Sequence, residues 1–254
     1  PTPYYRNQND AMTLGFASIN GYESLIWRRY SEFFNLSQGL PKNSPTFYFD
    51  KVFPSKMLEL LNIKYWIVPK ALPSIPKTLK LLFSSEIFNV CESENFIPRY
   101  QLISTAVSCK NEQEVILALN DPSFDPRKTL YLEEEPPFAS SQETAEVGQG
   151  SLSVLDRSPS QTVLSVSTSH PTWLLALDLN YPGWVAEVDS VPVKIYTANY
   201  LFRAIRLQPG KHRVEFRFEP WSFYAGAFIS LATLFLLICY FIFFAFRKPS
   251  AKPQ

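Results

Sequence analysis

The chain of 254 residues is long enough for one large domain or two smaller ones, and 46% of its residues are hydrophobic and 15% aromatic. So much bulky apolar material excludes a disordered polymer. Its 24 basic and 23 acidic residues leave a net charge of +1, and no Lys/Arg cluster is interleaved with aromatic residues. Nucleic acid is therefore not an expected partner.

Three cysteines are too few for a disulfide framework, and Cys239 lies in an apolar run near the C-terminus. Cys91 and Cys109 remain. The sequence leaves open whether these two form a bridge or are two buried thiols.

The first predicted elements are two helices. Apolar and aromatic side chains recur at close to helical spacing over Gly21–Leu36, with Arg28 and Arg29 on the solvent face. A second helix is predicted over Ser55–Leu61, with Ser55 as its N-cap. It leads into the extended apolar stretch Ile63–Pro69.

Strands and one further helix complete a mixed α/β module. The strands are predicted over 79–83, 86–91, 98–107 and 129–132, and the helix over 111–120. The segment 133–150 is poor in large apolar residues, which indicates a linker. We interpret its acidic run, Glu133–Glu135, as the solvated start of that linker rather than as a cation site.

From Ser151 to Glu219 strands recur about every ten residues, which is typical of a sandwich or a barrel. Lys211–Phe218 alternates charged side chains with His212 and apolar ones, so one face of this strand is predicted to be core. The pair Asp189-Ser190 is predicted to turn one strand into the next.

The strongest signal is an uncharged run of 24 residues, Phe223–Phe246. As a helix it would be about 36 Å long, enough to cross a hydrocarbon core of about 30 Å. A lone span in lipid can satisfy its backbone hydrogen bonds only as a helix. The alternative, a buried helix of a soluble core, would be shorter and would carry a polar face.

The flanks of this helix predict its orientation. Basic residues follow it, and an acidic residue and a tryptophan precede it; these are Arg247, Lys248 and Lys252, and Glu219 and Trp221. Because positive charge stays inside, the tail is predicted to be cytoplasmic and residues 1–220 extracytoplasmic. A tail-anchored cytosolic protein would place the basic tail on the wrong side. The first thirty residues hold no export signal, so we expect an upstream segment of a parent protein to deliver Pro1 to the outside.

The sequence thus predicts an α+β fold, with a mixed α/β module followed by an antiparallel β-sandwich and one C-terminal transmembrane helix. The predicted units are the module at 1–135, a linker at 136–150, the sandwich at 151–220, the transmembrane helix at 221–247 and a tail at 248–254.

Four stretches and the terminal apolar helix carry a resemblance. The stretches are GYESLIWRRYSEFF, LLNIKYWIV, NDPSFDPRKTLYLE and LNYPGWVAEVDSVPVKIYTANYLFRAIRLQPGKHRVEFRFEPWSF. In this order, with the helix directly after the last, they resemble the YfhO family of bacterial multi-pass membrane proteins. The likeness covers nearly the whole chain and departs at Asp189-Ser190, where the family usually has Asp-Gly.

The resemblance implies a parent with many transmembrane helices and a glycosyltransferase fold of the GT-C type. Such a parent moves sugar from a polyprenyl-phosphate donor to cell-envelope polymers, so the implied partners are the lipid bilayer, a polyprenyl-phosphate sugar and an envelope glycan. In that superfamily the catalytic acid lies in an early extracytoplasmic loop. No residue of this chain is therefore expected to be catalytic.

Four residues are candidates for contact with a sugar or a lipid headgroup. Tyr181, Trp184 and Tyr200 have flat rings that stack on sugars when exposed, and packing in the core or at the membrane edge is the alternative. Arg203 alternates with apolar residues, so its charge needs a partner. We favour a structural carboxylate such as Glu187 over a phosphate of a lipid-linked sugar.

Motifs for other chemistry are missing from the sequence. It has two histidines and no HExxH, CxxC, GxSxG or glycine-rich phosphate loop, so we expect neither a metal nor a cofactor. His170 is predicted to be a plain loop residue and His212 a partly buried, hydrogen-bonded one. A glycosidase-like pair among Asp178, Glu187 and Asp189 is a weaker alternative to surface and turn roles.

These observations predict the C-terminal, extracytoplasmic, non-catalytic part of a YfhO-like membrane glycosyltransferase, which positions the acceptor or shields the donor site. One rival is a membrane-anchored carbohydrate- or envelope-binding module without an enzymatic parent. The other is a self-contained extracytoplasmic hydrolase.

Overall fold

The computed structural model describes residues 15, 17–19, 26–45, 55–70, 75–136 and 150–246 of the chain. It contains four helices in this part of the chain: α1 (Arg28–Ser37), α2 (Lys56–Leu60), α3 (Glu112–Leu119) and α4 (Trp221–Phe246). The strands before residue 137 are β1 (Tyr65–Pro69), β2 (Leu79–Ser84), β3 (Phe88–Ser93), β4 (Tyr100–Ile103), β5 (Thr105–Ser108) and β6 (Thr129–Leu132). Those after residue 149 are β7 (Gly150–Arg157), β8 (Gln161–Thr168), β9 (Thr172–Leu179), β10 (Trp184–Val188), β11 (Val191–Val193), β12 (Tyr196–Ala198), β13 (Phe202–Leu207) and β14 (Gly210–Phe218). The α+β fold predicted from the sequence is confirmed.

The strands form three sheets. Their orders are β1-β3-β2, β11-β10-β14-β8-β7 and β4-β9-β13-β12-β6-β5. All described pairings are antiparallel except that of β5 with β6. The five-stranded and six-stranded sheets pack face to face, and the six-stranded sheet takes three strands, β4, β5 and β6, from outside the sandwich predicted at 151–220.

The six-stranded sheet nearly closes on itself. Strands β4 and β5 are separated along the chain only by Ser104, yet they occupy its two opposite edges. The segment Tyr100–Ser108 is therefore one bent strand, whose first half pairs with β9 and whose second half pairs with β6. This sheet joins strands from both sides of residues 137–149, so the two predicted modules share a sheet. The division of the chain at 136–150 stays a prediction, and residues 137–149 lie outside the described part.

Two large cores flank the six-stranded sheet. One face packs against the helices through large side chains that include Phe33, Leu60, Leu119 and Phe202. The other face packs against the five-stranded sheet through Leu164, Leu174, Ile205, Val214 and Phe216. The alternation predicted for β14 is confirmed, because Val214 and Phe216 are buried.

The three-stranded sheet has a small core of its own, made by Val68, Leu79 and Cys91. Cys91 is a buried free thiol here. Cys109 is also free and packs against the larger core beside the helices. The structure therefore shows two separate thiols and no bridge between them.

Helix starts follow local capping chemistry. The Ser55 hydroxyl accepts a 3.0 Å hydrogen bond from Leu58 N–H, which confirms the predicted N-cap of α2. Helix α1 begins at Arg28 rather than at the predicted Gly21, and residues 20–25 lie outside the described part. Ile26 and Trp27 belong to the predicted helix but precede the observed one.

Helix α4 has no buried residue in the described structure and is the candidate membrane span. Its 26 residues make a helix of about 39 Å, longer than a hydrocarbon core of about 30 Å. Only Glu219 and Pro220 separate it from β14. One end of the sandwich is where β14 ends and the chain leads into α4. We refer to this end of the sandwich as the α4 end. The basic residues that predict the orientation, Arg247 onward, lie outside the described residues.

Candidate functional site

The connection between β9 and β10 lies at the α4 end. Glu219 N–H donates a 2.6 Å hydrogen bond to the carbonyl of Gly183. Gly183 has φ +110°, and a Cβ built on it would lie 3.0 Å from Pro220 Cα. A Cβ there would be strained by the positive φ and crowded against Pro220, so glycine favours the close packing of this turn against the start of α4.

Two of the four sequence-predicted site residues lie on this turn. Tyr181 is 48% exposed, and its ring meets Trp27 edge-on with 5.8 Å between the ring centroids. Trp184 is partly buried and pairs with Phe218 across the strands, with 5.4 Å between centroids. These contacts hold both rings at the α4 end while leaving about half of the Tyr181 side chain exposed.

A surface cavity of about 410 Å³ opens beside these rings. Tyr181 and Trp184 contribute to its wall, together with the polar side chain of Asn180 and the apolar side chain of Ile195. The rest of the lining is mostly apolar, and an apolar wall with aromatic rings and a few polar groups is the usual composition of a small-ligand site. Flat rings of this kind stack on sugars.

Arg203 lies behind the Trp184 wall of this cavity. Its guanidinium carbon is 3.7 Å from the centroid of the Trp184 ring and 5.2 Å from that of Phe216. Arg203 is only 3% exposed, and this burial lowers its pKa to about 10, so the guanidinium is still charged at neutral pH.

The carboxylate that pairs with Arg203 is that of Asp178, with 3.3 Å from Nη2 to Oδ2. The sequence-based suggestion of Glu187 is wrong, because β10 directs Glu187 to Arg217, 2.6 Å away. Arg203 was correctly expected to need a partner. Within the described part of the chain, its buried Nε and Nη1 have no hydrogen-bond acceptor.

Asp178 also binds a second arginine, Arg99. Arg99 Nε donates a 2.7 Å hydrogen bond to Asp178 Oδ1, and Arg99 Nη2 donates to the same oxygen. The Tyr100 hydroxyl donates to Oδ2 over 3.3 Å. Two guanidinium groups thus share one carboxylate, which leaves a local surplus of positive charge behind the cavity.

Tyr200 lies apart from the other three candidates. Its ring is fully buried, and its hydroxyl donates a hydrogen bond to Glu32. Arg29 and Lys42 lie over the ring, at 5.0 and 5.7 Å from its centroid. Burial and the bond to Glu32 both raise the pKa of Tyr200. Since no face of the ring is open, we assign Tyr200 to packing and do not include it in the candidate site.

The network around Tyr200 corrects the placement of Arg29. Its side chain is 16% exposed and does not lie on a solvent face as the helical pattern predicted. It donates to Glu112 over 2.6 Å, and to the two oxygens of Glu133 over 2.6 and 2.8 Å. Glu133, interpreted from the sequence as a solvated linker start, is a structural partner of α1. Arg28 is largely exposed, as predicted.

The carboxylates considered for glycosidase chemistry are engaged in ion pairs. Arg217 lowers the pKa of Glu187, and the hydrogen bond from His212 lowers that of Asp189. A general acid in glycoside hydrolysis needs a raised pKa instead. His212 is held at Nδ1 by Asp189 (2.7 Å) and at Nε2 by the Gln208 carbonyl (2.9 Å), which agrees with its predicted structural role.

Two residues that matter at this site escaped the sequence reasoning. Arg99 precedes Asp178 by 79 positions and Trp27 precedes Tyr181 by 154, and no local pattern marks either of them as part of the site. Among the described residues, no group of three or more potential metal ligands occurs.

Comparison with known proteins gives one match. Residues 128–230 match the family described as "Bacterial membrane protein YfhO", a range that runs from just before β6 into α4 and includes the whole cavity wall. No curated protein and no solved structure matches the chain.

Proposed function

Because residues 128–230 match the YfhO family of bacterial membrane proteins, we propose that this chain is the extracytoplasmic, non-catalytic C-terminal part of a multi-pass glycosyltransferase. The parent enzyme transfers sugar from a polyprenyl-phosphate donor to a cell-envelope polymer. The role of the part described here is to hold the lipid-linked sugar beside the bilayer while the catalytic acid acts from elsewhere in the parent.

The observation that carries this proposal is the position of the cavity. Its aromatic wall lies on the turn that packs against the first residues of the membrane helix. A polyprenyl-phosphate sugar keeps its chain in the bilayer, its phosphate at the headgroups and its sugar just above them. A cavity at the α4 end is therefore at the height where such a sugar sits.

Charge supports the same ligand. Arg203 and Arg99 share the single carboxylate of Asp178, and two N–H groups of Arg203 have no acceptor among the described residues. A phosphate near the Trp184 wall is attracted by this surplus charge, and phosphate is the anion that arginine binds best.

The test is binding of a short-chain polyprenyl-phosphate sugar to the full chain in detergent micelles. Tyr181→Ala removes the exposed ring, and since a stacked ring contributes roughly 0.5–1.5 kcal/mol, affinity should fall by about three- to tenfold. The matched control is Tyr65→Ala, which removes another exposed tyrosine, 54% exposed against 48% for Tyr181, that does not line the cavity. Equal affinities for the two variants would contradict the assignment of the cavity.

The extracytoplasmic placement has its own test. A phosphatase that folds only outside the cytoplasm should be inactive when fused behind Gln254, and a fluorescent protein fused there should be bright. The reverse result would place the sandwich in the cytoplasm, away from polyprenyl-phosphate sugars on the outer face.

The alternative function is a membrane-anchored carbohydrate- or envelope-binding module with no enzymatic parent, which the same cavity would serve equally well. The coding sequence upstream of Pro1 distinguishes the two. A glycosyltransferase parent requires a series of hydrophobic spans with an acidic residue in the first outer loop, whereas a lone signal peptide would favour the binding module.

A further inference from the structure

The hairpin formed by β2 and β3 has an apolar tip in the described structure. Leu81, Leu82, Phe83 and Ile87 are each between 48% and 55% exposed, and Ile67 on the neighbouring β1 is 70% exposed. We call these five residues the hairpin tip surface. Isolated exposed apolar residues are common, but a cluster of this size on one small sheet marks an interaction surface.

We propose that the hairpin tip surface inserts into the headgroup region of the lipid bilayer beside α4. The hairpin tip surface then contacts lipid directly. It gives the chain a second membrane contact in addition to α4.

The exposure pattern of β2 favours lipid over a protein partner at the hairpin tip surface. Successive residues of a strand point to opposite faces, yet Leu81, Leu82 and Phe83 are all about half exposed, with a register shift between Leu81 and Phe83. Apolar groups thus face outward on both sides of the strand. A flat protein surface would cover one side only, whereas lipid surrounds the tip.

The small sheet is attached to the rest of the molecule at the α4 end. After β3 the chain reaches Arg99 within six residues, and Arg99 is fixed to Asp178 at the α4 end. The base of the sheet is held there too, because the Asn62 side chain donates to the Ile97 carbonyl and Arg127 donates to the Asn95 carbonyl over 3.0 Å. Since α4 begins two residues after β14, the bilayer surface lies next to this end of the sandwich.

A lysine lies at the tip of the hairpin. Lys70 follows β1 and donates to Ser84 beside the hairpin tip surface, and Glu86 lies in the turn that joins β2 to β3. Lys77 and Lys80 are exposed nearer the base of β2, where Lys80 lies opposite Glu92 in the strand pairing. In interfacial membrane segments the ammonium group of a lysine reaches lipid phosphates while neighbouring apolar groups enter the acyl boundary.

The test uses the full chain in vesicles of phosphatidylethanolamine and phosphatidylglycerol that contain spin-labelled lipid. An environment-sensitive fluorophore is attached to Ile87→Cys, or to Val191→Cys as the matched control, in a Cys109→Ala/Cys239→Ala background that keeps the buried Cys91. Val191 is 62% exposed and lies on the β10–β11 turn, at the opposite end of β10 from Trp184. The Cys109→Ala/Cys239→Ala protein without an added cysteine measures any reaction of Cys91 with the fluorophore.

The probe at position 87 should emit at shorter wavelength and be quenched by spin-labelled lipid several-fold more than the probe at 191. Adding Leu82→Asp and Phe83→Asp should reduce its quenching to the level at 191, with circular dichroism unchanged. Equal quenching at 87 and 191 in the first experiment overturns the proposal. A short-wavelength, unquenched probe at 87 also overturns it, because a protein surface would then cover the tip.

Discussion

Arg203 shows how a single buried charge is accommodated in this fold. Its guanidinium lies between the two sheets, stacked on Trp184 and paired with Asp178, while Arg99 binds the other oxygen of the same carboxylate. Burial of an arginine is costly, so removing the carboxylate and removing the arginine should have very different consequences.

We expect Asp178→Ala to lower the free energy of unfolding by about 3–5 kcal/mol, because Arg203 would be left buried without a counter-charge. Arg203→Met should change it by less than about 1.5 kcal/mol, because the apolar side chain fills similar space and Asp178 keeps Arg99. Urea unfolding of the full chain in micelles, followed by tryptophan fluorescence, measures both. If Arg203→Met proves as harmful as Asp178→Ala, the pair is a stabilising ion pair and Arg203 is not available for a ligand.

The β10–β11 turn shows how a hairpin tolerates an unfavourable residue. Asp189 has φ +53° and Ser190 φ +68°, the left-handed conformation that a type I′ turn requires at both central positions. Ser190 keeps this conformation although its Cβ disfavours a positive φ. Asp189 is fixed by a 2.8 Å bond from Arg213 N–H and by His212, so the turn keeps its shape despite the serine.

Ser190→Gly should raise the free energy of unfolding by about 0.5–1 kcal/mol, because glycine adopts a positive φ without steric cost. The side chain is exposed, so no packing is lost. Ser190→Ala is the matched control and should bring no gain, since alanine retains the Cβ. The same urea titration measures both variants, and a gain for alanine equal to that for glycine would show that φ is not the cause.

At the scale of the whole molecule, a charged network ties the helices to the sandwich. Glu32 on α1 accepts from Tyr200 in the β12–β13 turn and from Arg28, and Arg29 joins Glu112 at the start of α3 to Glu133 after β6. These bonds connect elements on both sides of residues 137–149. Although burial opposes its ionisation, the hydrogen bonds from Tyr200 and Arg28, together with Lys42, lower the pKa of Glu32.

This network predicts the pH dependence of stability. A lowered native pKa means that the contribution of Glu32 is fully present above the unfolded value, about 4.3, and is lost as the pH falls through the native pKa. Thermal unfolding of the full chain in micelles should show Glu32→Gln less stable than the native chain at neutral pH. The two should converge as the pH falls through the lowered native pKa of Glu32, where native Glu32 also becomes protonated.

Glu86→Gln, which alters an exposed carboxylate on the β2–β3 turn, serves as the control and should follow the native profile at every pH. A gap between the native chain and Glu32→Gln that persists undiminished in acid would mean that the side chain acts through packing and not through its charge.

Local features of the fold were predictable because their causes lie within a few residues. The uncharged run before Arg247 predicted α4, the alternation in Lys211–Phe218 predicted β14, and Ser55 three residues before Leu58 predicted the cap of α2. Trp184 and Arg203 were recognised as candidates for the same reason, since an aromatic residue in a tight turn and a charge on an apolar face stand out in the sequence alone.

Contacts between distant segments were decided by tertiary structure. Strand pairing brings Asp178 to Arg99 and Arg203, whereas the sequence suggested Glu187. Packing of α1 over the β12–β13 turn buries Arg29, which helical spacing had placed on the solvent face, and it decides between the two roles that the sequence left open for Tyr200. The bend at Ser104 lets one strand close the six-stranded sheet. Periodicity and capping report which face of an element is apolar, but register and long-range packing determine which charged group meets which, and so only the folded chain defines the cavity and the charge behind it.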